Sequence, residues 1–262
     1  MAANEVLTVR NGQTLIVTFN RPEQQNALTY DMAAQAYNIL KNATTDRGVR
    51  AVLLNGAGGH FMNGLDMELF KGDFSTGLER FNQIVAPYHS AIRELQAMDK
   101  PVVAAVEGFV TGAGMSFMLA CDMVLAARST KFNCRYTQYA MTPDGACSYF
   151  LPRRVGYGKA FELLALSKEF DAAEAEKMNI VDKIYDDDKL HAESMSFATD
   201  IAKGPTKAYG GVKKLILRSF DNDLNAHLGL EHTYFGQSMR SFDFKECLRA
   251  QASGREPEYS GS

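Results

Sequence analysis

The chain has little of what marks several protein classes. It carries only four cysteines, Cys121, Cys134, Cys147 and Cys247, and no two of them form a C-x-x-C pair. In a chain of 262 residues that is no disulfide framework. It predicts reduced thiols and a cytoplasmic protein, with the cysteines serving as small core or pocket residues. Prolines number seven, beside 46% hydrophobic and 23% charged residues, which excludes a disordered or collagen-like chain. There is no cationic excess: Lys and Arg total 28 against 31 Asp and Glu, a net charge of −3. That argues against a basic face for nucleic acid. No apolar run reaches the roughly 18 residues of a membrane span. The stretch from Met1 to Val6 lacks the features of a secretion signal, and Ser260-Gly261-Ser262 is not a peroxisomal address.

Several catalytic signatures are missing too. No G-x-x-x-x-G-K-[ST] occurs, and no G-x-G-x-x-G opens the first glycine-rich loop. His227 and His232 do not share a helix face and there is no H-E-x-x-H, so no metal is expected. In Gly114-Met115-Ser116-Phe117-Met118 the second glycine of a nucleophile elbow is absent, which disfavours a serine hydrolase.

The patterns that are present describe an α/β chain. Leu7 and Val9, then Asn11-Gly12, then Leu15, Val17 and Phe19 predict a β-hairpin. Thr29 is placed to cap a helix through Leu40. Short apolar runs predict buried strands at Ala51 to Leu54, Val102 to Val106 and Met123 to Ala127, with another at Lys131 to Asn133. A long helix is expected from about Leu78 to Met98, stopped by Pro101, and a buried helix from Met115 to Cys121. From about Ala146 onward helices dominate, including Thr206 to Ser219, Leu224 to Met239 and a short one near Phe244. The expected organisation is a core over residues 1–200 and a helical region over 201–262 that packs on the core or on a neighbouring subunit.

Two glycine-rich segments each follow a buried strand: Gly56 to Asp66, and Glu107 to Gly114. Ordinary tight turns explain each one alone. Brought together, their backbone N–H groups could hold a carbonyl oxygen between two donors, which is an oxyanion hole. In Thr142-Pro143-Asp144-Gly145, Asp144 could cap the following helix. Alternatively it is a carboxylate at the mouth of an apolar pocket, where burial would favour proton shuttling. His89 on the long helix reads as a semi-buried structural histidine or as a general base.

Six segments come in order: Asn20-Arg21-Pro22, Asn26-Ala27-Leu28, Phe61-Met62-Asn63-Gly64-Leu65-Asp66, Lys100 to Gly108, Gly112-Ala113-Gly114 and Cys121-Asp122-Met123. Together they resemble the crotonase superfamily, the enoyl-CoA hydratases and isomerases. The resemblance implies an α/β fold, a crotonase (ClpP-like) spiral of β-β-α turns, with a helical C-terminal trimerisation region. It implies a homotrimer or a dimer of trimers that binds acyl-CoA as substrate and uses no other cofactor. By the same resemblance, the N–H groups of Leu65 and Ala113 form the oxyanion hole, with Ala113 standing where glycine is usual. Asn26, Ala27, Leu28 and Asn63 line the CoA site. From the residues themselves, Tyr136, Tyr139, Phe70 and Phe81 are the aromatics expected to wall the acyl pocket.

The resemblance also marks departures. The two glutamates that hydratases of the family use align with Ser116 and Tyr136, so the water-activating carboxylate pair is missing. The remaining acid, Asp144, matches the catalytic segment of enoyl-CoA isomerases, and implies isomerisation of the Δ3-Δ2-enoyl-CoA type. A competing likeness is to 4-chlorobenzoyl-CoA dehalogenase, in which an Asp at the Asp144 position is the nucleophile and a His at the His89 position activates water. There a tryptophan stands at the place of Tyr136. Gln251 and Gly254 replace the aromatic and lysine that usually touch a neighbour's CoA. A third reading is an acyl-CoA-binding protein without turnover.

Overall fold

The computed structural model describes residues 4–262; the first residues of the stretch read for a leader lie outside that range. The chain repeats one unit, two strands followed by a helix. β1 (Val6–Asn11) and β2 (Thr14–Phe19) precede α1 (Tyr30–Thr45); β3 (Ala51–Gly56) and β4 (Met62–Asn63) precede α2 (Phe74–Ala97). β5 (Val102–Val106) and β6 (Phe109–Thr111) precede α3 (Ala113–Leu119). β7 (Met123–Ala127) and β8 (Lys131–Asn133) precede α4 (Cys147–Val155) and α5 (Tyr157–Leu166). After the first unit, the two strands of each unit part company. The first joins a six-stranded sheet of order β1-β2-β3-β5-β7-β10, the second a four-stranded sheet of order β4-β6-β8-β9. This is the β-β-α spiral.

Strand chemistry explains the stacking. Parallel strands covered on both faces read as unbroken apolar runs, and Val102 to Val106 are all buried. Alternate side chains serve different partners. Val52, Leu54, Ala104, Val106, Val124 and Ala126 enter the main core with α1, α2 and α3. Leu53, Val103, Ala105, Leu125 and Ala127 enter a second core with Leu190 and Ala198 of a helix, α7 (Leu190–Ala202), on the opposite face.

The hairpin forms, but its two-residue loop is Gly12-Gln13 rather than Asn11-Gly12: Asn11 still pairs with Thr14, and Gly12 (φ +57) opens the turn. Thr29 Oγ1 accepts from Met32 N and starts α1. Other expectations need correction. α2 begins a turn before Leu78, because the Asp73 carboxylate caps it by accepting from Thr76 N at 2.8 Å. The second glycine-rich segment is not one turn: Phe109–Thr111 pairs with β4 and β8, and α3 starts at Ala113 rather than Met115. Two strands escaped the pattern: β9 (Phe170–Asp171) and β10 (Lys183–Tyr185), separated by the helix α6 (Ala172–Lys177). Each is too short for alternation to register; β9 is placed by Phe170 stacking on Phe132 at 5.4 Å.

The C-terminal helices α8 (Thr206–Arg218), α9 (Leu224–Met239) and α10 (Phe242–Ala252) follow. Val212, Ile216, Phe220, Leu224, Leu228 and Phe235 are exposed along α8 and α9 and the turn between them. No helix among the described residues is long and apolar enough to cross a membrane.

Candidate active site

The two glycine-rich turns meet. A β-carbon on Gly112 would sit 3.5 Å from Gly64 Cα, and one on Gly114 would fall 2.2 Å from the Met62 carbonyl oxygen. Only glycine lets α3 approach β4 so closely. The approach leaves two N–H groups unspent. Leu28 and Leu65 form a parallel bridge, and both of its hydrogen bonds belong to Leu28: Leu28 N donates to Gly64 O at 2.8 Å and Asp66 N donates to Leu28 O at 3.0 Å. The Leu65 N–H is left over. Ala113 is the first residue of α3, where helical N–H groups have no intrahelical acceptor. Among the described residues neither N–H donates a hydrogen bond.

Both residues line a cavity of about 650 Å³. Phe81, Ile84, Val85 and Tyr88 of α2 form one wall; Tyr136, Tyr139, Met141 and Pro143 form another. Asp144 is the sole carboxylate among the described residues lining it. Asp144 does not cap α4: the cap position is Ala146 (φ +63), with no side-chain bond to the helix. Its carboxylate instead meets α2, with Asp144 Oδ1 2.7 Å from His89 Nε2. An ionised carboxylate only accepts, so the ring nitrogen donates. Each side chain is about one-third exposed, 35% for His89 and 34% for Asp144; Asp144 lines the cavity, whereas His89 does not and reaches it only through this contact.

The Asp144 main chain is held as well. Its carbonyl oxygen lies 2.8 Å from Ser116 Oγ and 3.2 Å from Tyr136 OH. Burial pushes the Tyr88 and Tyr136 phenols well above their ordinary range, so both stay protonated. The Tyr88 hydroxyl is buried without a partner and lies against Gly145, where a β-carbon would fall 1.8 Å from it.

The expected CoA residues divide. Leu28 and Asn63 line the cavity; Asn26 and Ala27 do not. Asn26 is fully buried and staples two loops: Oδ1 accepts from Arg21 N at 2.7 Å, and Nδ2 donates to Ala57 O at 2.9 Å and His60 O at 2.6 Å. The Ala27 carbonyl accepts from Arg21 Nη1 at 2.7 Å. Phe81, Tyr136 and Tyr139 are at the cavity, but Phe70 is not; it stacks on Phe74 at 6.0 Å and shields the start of α2. Tyr88, Thr111 and Arg135 line the cavity without having been singled out. Tyr88 precedes His89 on the helix and its spacing marks a core face, which hides its hydroxyl's place beside Asp144. Cys134 also lines the cavity, and Cys147 is buried; both are free thiols.

Residues 10–262 match the family model described as enoyl-CoA hydratase/isomerase. The chain belongs to that family. It is 32% identical over 254 residues to 1,2-epoxyphenylacetyl-CoA isomerase of Escherichia coli, covering 94% of this chain and 95% of that one. It is 27% identical over 246 residues to 4-chlorobenzoyl coenzyme A dehalogenase-2 of an Arthrobacter species, covering 90% and 89%. The crystal structure of an enoyl-CoA hydratase from Polaromonas sp. JS666 superposes with a TM-score of 0.91 at 29% identity, over 97% of this chain and 99% of that one. Hydratase names recur among other relatives. As a member of the family, the chain is an acyl-CoA enzyme with a crotonase fold.

Proposed function

We propose that the protein is an acyl-CoA isomerase of the Δ3-Δ2-enoyl type, with Asp144 carrying the proton. The observation that supports this is the single carboxylate among the described residues lining the cavity, which the backbones of Leu65 and Ala113, with their two unspent N–H groups, also line. Hydratase names are frequent among the relatives, but Ser116 and Tyr136 occupy the places of the two hydratase glutamates, and hydroxyls of that kind do not activate water. In the proposed reaction Asp144 removes a proton from the carbon α to the thioester carbonyl. Negative charge moves onto the thioester oxygen, where the two N–H donors stabilise it more in the transition state than in the substrate. Asp144 then returns the proton to the γ carbon of the same dienolate. The double bond has moved, the carboxylate is regenerated, and neither water nor a further cofactor is consumed. The apolar walls help to exclude water. We also propose a homotrimer or dimer of trimers, supported by the exposed apolar side chains of α8 and α9.

A second reading rests on the 2.7 Å contact between His89 and Asp144. Asp144 attacks a halogenated aryl carbon, the halide leaves, and water deprotonated by His89 hydrolyses the resulting aryl ester to free Asp144 and a phenol. One assay separates the readings: purified enzyme with a 3-enoyl-CoA, a 2-enoyl-CoA and a 4-halobenzoyl-CoA, wild type beside Asp144→Asn and His89→Gln. Conversion of the 3-enoyl thioester, lost by about 10²-fold or more in Asp144→Asn and retained in His89→Gln, is the expected result. Halide release that stalls in His89→Gln selects the nucleophilic reading. CoA-thioester binding with no turnover of any kind refutes both.

A further inference from the structure

The Asp144 carbonyl oxygen gathers more donors than it has lone pairs. Ser116 Oγ is 2.8 Å away, Tyr136 OH 3.2 Å, and Cys147 N–H closes the local turn onto it at 3.2 Å. Ser116 Oγ and Tyr136 OH are themselves 3.0 Å apart. A carbonyl has two lone pairs and each hydroxyl has one proton. The contacts sort into a chain: Tyr136 donates to Ser116 Oγ, Ser116 donates to Asp144 O, and Cys147 N–H takes the other lone pair. The Gly112 carbonyl, at 3.5 Å from Ser116 Oγ, is too far to compete for its proton, and the Tyr88 hydroxyl and the Cys147 thiol also lie beside Ser116.

These bonds differ in what they fix. The Cys147 bond is internal to its turn and does not place that turn in the molecule. Ser116 is wholly buried on α3, the helix whose first N–H belongs to Ala113. Its hydroxyl therefore ties the Asp144 segment directly to the helix that carries half of the donor pair. Tyr136, itself buried, steadies the Ser116 hydroxyl. We infer that Ser116, supported by Tyr136, is a positioning residue that sets the distance and aim of Asp144 relative to the Leu65 and Ala113 N–H groups. This rests on the reading of Asp144 as the proton carrier. On this inference Ser116, at one hydratase-glutamate place, holds another residue's backbone, and Tyr136, at the other, supports that hydroxyl while its ring lines the cavity. Proton transfer is sensitive to such placement, since a misplacement of about 1 Å costs about 10²-fold in rate.

The test uses Ser116→Ala, Tyr136→Phe and the double variant of the full-length protein, each assayed for 3-enoyl-CoA conversion, with ¹⁵N shifts of the His89 ring recorded in parallel. Ser116→Ala is expected to lower kcat by about tenfold or more while KM stays within about twofold, because an interaction made in the transition state is lost and ground-state binding is not. Tyr136→Phe lowers kcat less. The double variant loses less than the product of the two single losses, since the hydroxyls act through one chain. The His89 ring resonances shift in Ser116→Ala, because its partner carboxylate has moved. Unchanged kcat and unchanged His89 resonances in a folded Ser116→Ala protein overturn the inference, whatever happens to its melting temperature. Should Ser116→Ala not fold, Tyr136→Phe carries the same test, as it removes one oxygen from an otherwise intact ring. An Asp144→Asn enzyme with full activity removes the catalytic reading of Asp144, while the His89 resonances still decide whether Ser116 positions it.

Discussion

Gly114 and Gly158 make a matched pair, each at the second position of a helix, α3 and α5 respectively. Helix propensity favours alanine over glycine at both, by about 0.5–1 kcal/mol. Their surroundings differ. A β-carbon on Gly158 meets nothing within 4 Å, whereas on Gly114 it falls 2.2 Å from the Met62 carbonyl oxygen and 3.0 Å from Met62 Cβ. An ordinary contact needs a little over 3 Å, so the start of α3 must retreat from β4 by about 1 Å. Overpacking of that kind costs about 1–3 kcal/mol, which exceeds the propensity gain. For a chain of this size 1 kcal/mol is about 2–4 °C. Gly158→Ala is therefore expected to raise the melting temperature by about 1–4 °C, and Gly114→Ala to lower it by several degrees, roughly 2–8 °C. The retreat also carries the Ala113 N–H away from that of Leu65, so turnover in Gly114→Ala should fall by about 10²-fold. Scanning calorimetry and 3-enoyl-CoA turnover on both variants provide the check. A Gly114→Ala enzyme as stable and as active as Gly158→Ala would refute the argument that glycine is there to let helix and strand touch.

Two further outcomes follow from polar groups away from the cavity, one buried and one partly buried. Asn26→Ala removes three partly buried hydrogen bonds and strands their partners on Arg21, Ala57 and His60. It should cost about 3 kcal/mol in urea unfolding, and a loss below about 1 kcal/mol would show that the staple carries little. Burial raises the Glu107 carboxyl above its ordinary value of 4.5, so the folded state holds its proton more tightly than the unfolded chain. Its contribution to stability is complete below pH 4.5 and is lost as pH rises through the raised value. Glu107→Gln, which mimics the protonated form, should therefore stabilise the protein relative to wild type at pH 7 and have little effect at pH 4, as read by melting temperature. An equal effect at both pH values would exclude the linkage.

The amino-acid sequence by itself determined the elements and most of their order. The hairpin at Asn11-Gly12, the Thr29 cap and the three apolar runs at Ala51, Val102 and Met123 carry their signals within a few residues, because turn conformation, capping and burial of parallel strands are local demands on residue type. The glycines of the two loops were visible as well, though not what they admit. Tertiary structure decided everything that depends on distant segments meeting. β9 and β10 exist because β8 and β7 offer edges to them, not because two or three residues prefer to be extended. Phe70 reads like any pocket aromatic until the path of the chain turns it onto Phe74. Asn26 reads like a ligand contact until the loop through Ala57 and His60 closes on its side chain. Asp144 could have been a helix cap; the helix it would cap starts at Cys147 from Ala146, and His89 arrives from α2, 55 residues earlier in the chain. The unspent N–H groups of Leu65 and Ala113 arise in the same way, from a parallel bridge that uses only Leu28 and from a helix start pressed on β4. A donor becomes free, or a carboxylate becomes aimed, only when its neighbours are fixed in space, and sequence spacing does not contain that information.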